Sequence, residues 1–505
     1  MPRRDSTPTK VGSMAETSAI REPSTGVSPS IGRQGPMVVV LLSAWFMAQF
    51  DFFVVNVAAP SLKRELGAGP AELQLIVGGY IFAYAGGMIT GGRLGDLYGY
   101  RRLFVGGMIA FTIASLLCGI AAHPAQLVVA RLVQGCTAAM MVPQVLAVIT
   151  SVFPVETRPR ALGWYGAAGG LGSIAGQVLG GLLITADVFG LGWRIIFLIN
   201  LPVGVVAVVL AVRLLPRLES GHRARLDPLG AIGIAATLAL LLVPLVLGHE
   251  EGWPAWTWIC MVGALPAGAV TIAWQRRLDA RGGQPILDVS LFKVGSYVAG
   301  IAAAAAFLAY FASFMFTLTL MLQDGFGLSA FHAGLAFAPM GVLFSATALV
   351  GSRLVGRYGL RVVVLGALLT VMSLLLLALR LYVADADAGL AWIIVLIGLA
   401  GSGNGLVIPH LIGVALVGVR PHQAGVGAGI LTTAQQFAGS AGIAVIGTVF
   451  FMVVSARPVA ADFTRAMTWS LLIDIGLLLV VIALVGYNER VSGRAAAEAA
   501  RAAGA

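Results

Sequence analysis

The chain has 505 residues, of which 58% are apolar and 11% are charged, and its net charge is +10. Soluble domains carry about 25% charged residues, so the composition excludes a string of soluble domains and fits one polytopic membrane protein. The basic residues stand in short segments between apolar runs, which argues against nucleic-acid binding. The three cysteines lie inside apolar runs, which excludes a disulfide framework and a thiolate metal site.

The chain begins with a polar stretch and continues with apolar runs long enough to cross a membrane. Residues 1–36 are rich in Ser, Pro, Thr and Arg and lack an apolar core, so they predict a disordered cytoplasmic tail rather than a signal peptide. Fourteen apolar runs follow, each of spanning length. They lie near residues 37–58, 71–91, 103–121, 126–150, 160–185, 194–214, 228–248, 255–274, 297–322, 330–352, 362–382, 390–416, 424–453 and 467–487.

The Arg and Lys residues between these runs predict the orientation of the chain. With the N-terminus inside, the inner segments hold 25 of the 32 basic residues and the outer segments hold six, while Arg131 falls inside a span. Cytoplasmic loops of membrane proteins carry an excess of Lys and Arg. The asymmetry therefore predicts an even number of spans with both termini in the cytoplasm.

An internal repeat divides the spans into two halves. Residues 91–101 read GGRLGDLYGYR and residues 351–361 read GSRLVGRYGLR, so six of eleven positions match. Repeated halves with a binding site between them are typical of secondary transporters. We therefore expect a tail at 1–36, an N-terminal six-helix bundle at 37–214, two extra spans and a cytoplasmic linker at 215–294, a C-terminal six-helix bundle at 295–487, and a second cytoplasmic tail at 488–505.

Two charges interrupt the apolar spans of the first half. Asp51 is the only charge in span one, and Arg131 lies deep in span four with Gln134 on the same helix face. A charge at the membrane centre costs about 2.5–3.5 kcal/mol on insertion scales, so such residues face a cavity or a partner and mark function. Asp51 is the partner that we expect for Arg131. The pair is either a proton-coupling site or a static ion pair.

A glycine-containing stretch connects spans two and three. Gly92 and Gly99 permit a tight turn, and Asp96 is an acid among the bases Arg101 and Arg102. Such an acid can bind a helix N-terminus or an arginine. The alternative is a plain membrane loop.

Span five carries glycines at helical spacing. Gly172, Gly176 and Gly180 are four residues apart, so they form one smooth ridge that lets another helix approach closely. Gly163 and Gly181 extend the pattern, and Gln177 places a polar amide within the membrane. Ordinary helix packing and a functional signature both explain such a ridge, and they do not exclude each other.

These stretches resemble the major facilitator superfamily. Residues 92–102 are similar to its signature loop, G-x-L-x-D-x-x-G-x-R-R, which implies that Asp96 latches the two halves on the cytoplasmic side. In the second copy Gly356 stands where the acid would be, so we expect no equivalent latch there. Residues 131–135 match the R-x-x-Q-G signature of the superfamily.

Other stretches are similar to a narrower branch, the fourteen-span drug–proton antiporters. Asp51 and Asn56 belong to a run that resembles the D-x-x-x-x-N-x-A-x-P signature, in which the acid is implicated in proton or cation handling. The glycine ridge resembles the antiporter signature, except that Gln177 stands where Pro is usual. The resemblance implies an all-α major facilitator fold of two six-helix pseudo-repeats plus two extra central spans.

The second half offers fewer motifs. Asp474 lies near the predicted outer end of span fourteen and is either a second proton or cation site or an interfacial charge. The aromatic residues of span nine either line a cavity for flat, lipophilic compounds or make core and lipid contacts; they are Phe307, Tyr310, Phe311, Phe314 and Phe316. Our candidates for the substrate cavity are Asn56, Gln134, Gln177, Phe311 and Asp474.

The expected function is export of a small toxic or antibiotic compound in exchange for protons, by alternating access. The sequence contains no phosphate-binding G-x-x-x-x-G-K-[ST] loop, no paired histidines for zinc and no nucleophile–base constellation, so we expect no enzyme activity, no cofactor and no metal. The expected partners are the substrate, protons and the lipid bilayer of a bacterial cell membrane, with the protein a monomer. The alternatives are a proton-coupled importer and a non-transporting sensor on the same scaffold.

Overall fold

A computed structural model describes residues 31–154, 157–216, 226–416, 418–419, 423–455 and 457–503. Within these residues the secondary structure is helical, and fourteen helical segments are long and apolar enough to cross a membrane. We number the main helix of each segment α1 to α14. They are α1 Ile31–Ser61, α2 Pro70–Tyr98, α3 Tyr100–Gly119, α4 Pro124–Val152, α5 Arg158–Thr185, α6 Asn200–Leu214, α7 Pro228–Glu250, α8 Ala255–Ala280, α9 Gly295–Leu320, α10 Ala338–Tyr358, α11 Arg361–Ala384, α12 Leu390–Val407, α13 Ala424–Val453 and α14 Ala460–Ala503.

Most residues of the expected N-terminal tail lie outside the described residues. The last six are helical rather than disordered, because α1 begins at Ile31. At the other end α14 is longer than expected, since it begins at Ala460 and continues through most of the predicted tail to Ala503. The earlier start of α14 places Asp474 in the fifteenth position of the helix, so the prediction that it lies near the outer end is wrong.

Proline and glycine define several of these boundaries. Pro70, Pro124 and Pro228 occupy the first position of α2, α4 and α7, where the missing backbone N–H leaves no hydrogen bond unmade. Gly99 joins α2 to α3 with a φ of 92°, a conformation that residues with a Cβ rarely adopt. Pro409 ends the regular part of span twelve, which continues as short helical turns after Val407.

The internal repeat extends beyond the similar loops. The helical segments that contain α1 and α9 both end in a π-helical turn, Leu62–Leu66 in the first half and Met321–Gly325 in the second. A glycine with positive φ follows each turn, Gly67 and Gly327 respectively. The first helix of each half therefore ends in the same kind of turn, at corresponding positions of the repeat.

The helices pack as two groups of six with a further pair beside them. In the first group α2 packs on α4, α1 on α5, and α3 on α4 and α6; in the second α9 packs on α13 and α14, and α12 on α10 and α11. Helices α7 and α8 pack on each other, and α7 also contacts α2 and α13. Because α2 packs on α13, the extra pair covers one side of the seam between the two groups.

Many apolar side chains on the outer surface are exposed. They include Ile232, Ile259, Leu265, Val270, Leu349 and Trp392. Apolar side chains facing outward are what a bilayer requires, since lipid tails offer no hydrogen bonds. The described part of the chain is thus a multi-pass membrane bundle.

Candidate proton and substrate site

The centre of the first group holds a buried ion pair between α1 and α4. The Arg131 guanidinium forms an ion pair with Asp51 through Nη1 and the carboxylate Oδ2, and neither side chain has exposed surface. Arg131 also donates from Nη1 to Gln134 Oε1 at 2.7 Å and from Nε to the Ile76 carbonyl at 3.0 Å. The structure brings together the two charges that interrupt the apolar spans.

Neutral polar groups complete the coordination of Asp51. Gln134 Nε2 donates to Asp51 Oδ1 at 2.9 Å, and Asn200 Nδ2 of α6 donates to the same oxygen at 3.2 Å. Ser115 of α3 accepts from both amides, at 3.1 Å and 2.9 Å. The carboxylate on α1 therefore binds α4 and α6 directly, and the two amides extend the cluster to Ser115 of α3.

Aromatic rings cover the cation. The Arg131 guanidinium carbon lies 4.2 Å from the centroid of the Tyr80 ring and 5.8 Å from that of Phe197, distances that allow cation–π attraction. Sequence reasoning did not assign Tyr80 or Ser115 to this site. The sequence does not mark either residue as part of a site, because tyrosine and serine are common in apolar spans. The packing of α2 and α3 places Tyr80 and Ser115 beside the ion pair.

Two predicted cavity residues do not reach a cavity. Gln134 is fully buried, and its side-chain hydrogen bonds lie within the ion-pair cluster and to Cys118 beside it. Asn56 is also buried, and its Nδ2 lies 3.5 Å from the Phe52 carbonyl of its own helix. We correct both assignments: Gln134 positions Asp51, and Asn56 packs inside the first group.

The cavity itself lies between the two groups, among α1, α5, α9 and α10. It has a volume of about 70 Å³, and its lining includes Phe53, Gln177, Phe311, Met315, Met340 and Phe344. The Phe53 and Phe311 rings meet edge to face at 6.2 Å. The lining is mainly apolar and aromatic with one amide, and the volume is below the roughly 300 Å³ of a drug-sized pocket, so a bound compound of that size requires the two groups to move apart.

Gln177 is the polar group of this cavity. Its Nε2 lies 3.9 Å from the Met315 sulfur, a weak acceptor, and its buried Oε1 has no hydrogen-bond partner among the described residues. An unpaired buried amide oxygen carries a desolvation cost that a bound donor would remove. The amide that replaces the usual proline thus lines the cavity with an unpaired oxygen.

The span-nine aromatics separate into two sets. Phe311 is half-buried and lines the cavity. The other four aromatics are fully buried within the C-terminal group: Phe307, Tyr310, Phe314 and Phe316. For these four, the interpretation as core contacts holds.

The glycine ridge of α5 faces α1. A Cβ added to Gly172 would lie 2.9 Å from the Phe46 carbonyl oxygen, and one added to Gly176 would lie 2.8 Å from that of Phe50. Gly180 abuts the Val54 side chain in the same way, whereas Gly181 faces the Ala330 backbone across the seam between the groups. Gly163 has open space around its Cα, so it takes no part in this packing.

The signature loop is held mainly by contacts within the N-terminal group. Tyr100 donates from its hydroxyl to Asp96 Oδ1 at 2.7 Å, and Arg101 donates to the Val212 carbonyl at the end of α6. Gly92 lies near Pro143, and Arg102 is exposed. The hydrogen bond from Tyr100 to Asp96 thus stays within one half, and the latch between halves remains a prediction.

A contact from the loop to the linker between the halves comes instead from Arg93, which the sequence did not single out for a role. Its Nη1 and Nη2 donate to the Gln284 and Pro285 carbonyls, each at 2.6 Å. These carbonyls belong to the linker between α8 and α9. Three residues further on, Asp288 Oδ2 accepts from Gln423 beside the start of α13 at 3.0 Å. The linker is therefore attached to both halves at this end.

Asp474 lies apart from the cavity. It is fully buried near the middle of the membrane-spanning part of α14, Ala460–Val491, and its Oδ1 accepts a hydrogen bond from Ser313 of α9 at 2.9 Å. The prediction of a cavity residue is therefore corrected, and the alternative of an interfacial charge is wrong as well, since no part of the side chain reaches the surface.

The seam between the halves is closed at one end. Gln323 Nε2 donates to the Val57 carbonyl at 2.8 Å, and Ser440 donates to the Gly78 carbonyl at 3.0 Å. Toward the other end, a Cβ added to Gly163, Gly166 or Gly170 of α5 would have nothing within 4 Å. In the orientation that the basic residues predict, the closed end is the outer one.

Comparisons with known proteins agree with this architecture. The profile of the Major Facilitator Superfamily matches residues 41–443. The chain is 38% identical over 436 residues to a protein described as a probable actinorhodin transporter of Streptomyces coelicolor, covering 86% of this chain and 75% of that protein. It is 34% identical to the cephamycin export protein of Amycolatopsis lactamdurans, covering 84% and 87%. The puromycin resistance protein of Streptomyces alboniger is 33% identical, with 82% and 81% covered.

Solved structures share the fold. A bacterial homologue of the human lysosomal transporter Spinster, in an inward-facing and occupied conformation, superposes with a TM-score of 0.61 at 16% identity, covering 90% of this chain and 96% of that one. The xylose transporter of E. coli, partially occluded and inward open, superposes with a TM-score of 0.58 at 13% identity, covering 89% and 97%. The profile match and the curated relatives together show that the chain belongs to the major facilitator superfamily, in its drug-efflux branch, and is a membrane transporter of small molecules rather than an enzyme.

Proposed function

We propose that the protein exports a lipophilic, antibiotic-like compound from the cytoplasm in exchange for protons. The observation that carries the proton coupling is the Asp51–Arg131 ion pair, which lies without exposed surface in the middle of the N-terminal group. An acid at this depth is retained where it has a function or a partner. Here it has a partner that responds to the protonation state of the acid.

The coupling follows from electrostatics in a medium of low dielectric constant. When a proton binds Asp51, the carboxyl becomes neutral and Arg131 becomes a buried charge without a counter-ion. Such a charge is strongly unfavourable, so the surrounding helices shift toward an arrangement that compensates it. Loss of the proton restores the ion pair and the present arrangement. Proton binding and release at Asp51 thus favour different conformations of the N-terminal group.

The proposed orientation places both termini in the cytoplasm, with the protein working as a monomer. The excess of basic residues in the segments assigned to the inner side supports this topology. The closed end of the seam, where Gln323 binds the Val57 carbonyl, is then extracellular. The substrate enters the cavity from the inside, and alternating access requires the outer contacts to open.

The proposed substrate class rests on the cavity and on the relatives. Phe53, Phe311 and Phe344 provide aromatic surface, and Gln177 provides an amide with one unpaired oxygen. This lining favours a flat, lipophilic compound with a hydrogen-bond donor. The names of the relatives refer to actinorhodin, cephamycin and puromycin, which are antibiotics.

The experiment compares wild type with Asp51→Asn in a host that lacks its own efflux pumps. Both proteins are quantified in the membrane, and the strains are exposed to cationic, neutral and acidic antimicrobials. We expect wild type to protect against some compounds and the variant to fail, because the amide cannot bind and release a proton. Asp462→Asn, at a partly exposed carboxylate in the first turn of α14 that lies outside the ion pair and the cavity, is the matched control and should protect like wild type.

Transport assays in everted membrane vesicles then determine the direction of transport. An exporter accumulates its compound when the vesicle lumen is acid, whereas a proton-coupled importer does not. Full pH-driven accumulation by Asp51→Asn would overturn the coupling role of Asp51. The absence of flux in purified, reconstituted wild type would favour the sensor alternative.

A further inference from the structure

The C-terminal group contains a buried carboxyl group that the proposed cycle has not used. Asp474 has 0% relative exposure and lies near the middle of the membrane-spanning part of α14. Its Oδ1 accepts from the Ser313 hydroxyl at 2.9 Å, while its buried Oδ2 has no hydrogen-bond partner among the described residues. This environment differs sharply from that of Asp51, whose carboxylate has a cation and two amides as partners.

No counter-charge for Asp474 is present on the described helices that pack against α14. Helices α9 and α13 contain no Asp, Glu, Lys or Arg, and α11 carries Arg361 and Arg380 near its two ends. Arg361 pairs with Glu489, and Arg380 donates to the Ala388 carbonyl. The facing titratable group is Tyr310 of α9, whose hydroxyl exchanges hydrogen bonds with the amide of Asn404.

The remaining charges near α14 lie toward its ends. Asp385 accepts from Thr464, ten residues before Asp474, which is about 15 Å along a helix axis. Asp324, in the π-helical turn beside Phe463, is at a similar level and pairs with Arg64 at 3.7 Å. An isolated carboxylate in apolar surroundings is far less stable than the neutral acid. These surroundings stabilise the neutral carboxylic acid of Asp474 relative to the carboxylate.

Helix α9 connects this carboxyl to the substrate cavity. Phe311 and Met315 line the cavity, and Ser313 lies between them in sequence, which places it about 200° around the helix from each. The same helix thus contacts the cavity on one face and Asp474 on the other. A compound that displaces Phe311 or Met315 moves the hydroxyl that binds the carboxyl.

We propose that Asp474 is a second proton-binding site that adds one proton to each transport cycle. The carboxylate binds a proton when the outer side is open, keeps it as a carboxylic acid in the arrangement described here, and releases it toward the cytoplasm when a substrate in the cavity shifts α9. This inference rests on the proposed proton-coupled export, but the protonation of Asp474 is testable without any substrate.

The first test measures the protonated carboxyl directly. Infrared spectra of the purified full-length protein in lipid nanodiscs are recorded from neutral to alkaline pH, in H₂O and D₂O. At neutral pH we expect a carboxylic C=O band in wild type that Asp474→Asn lacks and Asp462→Asn retains. Ser313→Ala should shift the frequency of this band, because it removes the hydrogen bond to Oδ1. Identical spectra for wild type and Asp474→Asn would overturn the proposal.

The second test measures proton coupling in proteoliposomes, with puromycin as a probe and ethidium as a cationic probe. With the membrane potential clamped at zero, each coupled proton contributes about a tenfold concentration ratio per pH unit, whatever the charge of the solute. Loss of one of two protons should therefore lower the ratio that Asp474→Asn reaches from about 100-fold to about tenfold per pH unit, whereas Asp462→Asn should match wild type. An unchanged ratio in Asp474→Asn would overturn the second-proton role. If wild type transports neither probe, export of these probes fails and the infrared result decides the protonation of Asp474.

Discussion

Gly181 of α5 lies directly against the backbone carbonyl of Ala330, so that a Cβ on the glycine would overlap the carbonyl oxygen. The two residues belong to different halves of the bundle, and the segment Ala330–Ala336 leads into α10. Nearby, the Phe331 amide donates to Thr185 Oγ1 at 3.1 Å. A helix contact this close closes the seam at the predicted outer end, and alternating access requires it to open.

Gly181→Val should shift the protein away from this closed arrangement. The added side chain cannot fit against Ala330, so the seam opens and the outward-open population rises. In an Ala330→Cys background, where the reporter is buried at the closed contact, labelling by a membrane-impermeant maleimide from the outside should increase several-fold. Gly166→Val, on the same helix with nothing within 4 Å of its Cβ position, should leave the labelling unchanged. Equal labelling in both variants would contradict the role of this contact.

Removal of one member of the buried ion pair should destabilise the fold more than removal of both. Arg131→Gln leaves Asp51 as an uncompensated charge, and breaking a buried pair in this way costs about 3–5 kcal/mol. The double variant Asp51→Asn and Arg131→Gln has no buried charge at this site and should recover most of the unfolding temperature in detergent. It should still lack pH-driven transport. Equal stability of the single and double variants would contradict this account.

The glycine ridge predicts a difference between two substitutions on one helix. In Gly176→Ala the new Cβ would lie 2.8 Å from the Phe50 carbonyl oxygen and 3.1 Å from the Val54 amide nitrogen, so α1 and α5 must separate. Overpacking of this kind costs about 1–3 kcal/mol. Gly163→Ala meets open space and should be neutral or slightly stabilising. Thermal unfolding of the two purified variants checks the prediction, and equal unfolding temperatures would show that the ridge does not require glycine.

Arg93→Gln should loosen the linker between α8 and α9. The substitution removes the donors to the Gln284 and Pro285 carbonyls, and hydrogen bonds from charged groups contribute about 1.5–3 kcal/mol each. The Leu287 amide, in the same linker, donates to Gln275 Oε1 at 2.9 Å, so its hydrogen exchange measures how often the linker opens. Its hydrogen exchange should accelerate about tenfold or more, as such a loss of free energy implies. Arg102→Gln, at an exposed position, is the control and should leave the exchange rate unchanged.

Asp227 predicts a pH dependence of the extra helix pair. Burial raises the pKa of this carboxyl, but hydrogen bonds from Trp274, Gln275 and the Gly230 amide outweigh the effect, so the pKa lies below its ordinary value of 3.8. A lowered pKa in the folded state stabilises the fold above the unfolded-state value, and this contribution disappears as the pH falls through the folded-state value. Wild type should therefore unfold at a higher temperature than Asp227→Ala near neutral pH, and the difference should shrink as the pH falls below 3.8.

The class of protein, the number of spans and the repeat of the two halves could all be predicted from the amino-acid sequence. Apolar runs of spanning length must become helices in a bilayer, because no other open backbone structure satisfies its hydrogen bonds there. The importance of Asp51 and Arg131 could also be predicted, because a charged residue is rare within an apolar run of spanning length. The signature loop and the glycine ridge each lie within one short stretch of sequence, so they could be recognised without the structure.

The grouping of polar residues into sites could not be predicted in this way, because it depends on how the helices pack. Gln134 and Gln177 are both amides in apolar spans, yet Gln134 binds Asp51 whereas Gln177 lies in the cavity. The tertiary structure likewise placed Asp474 against Ser313 and brought Tyr80 and Ser115 to the ion pair. The face that a residue presents depends on the rotation of its helix against several neighbours. That rotation is set by packing between segments distant in sequence, so the pattern within one span does not contain it.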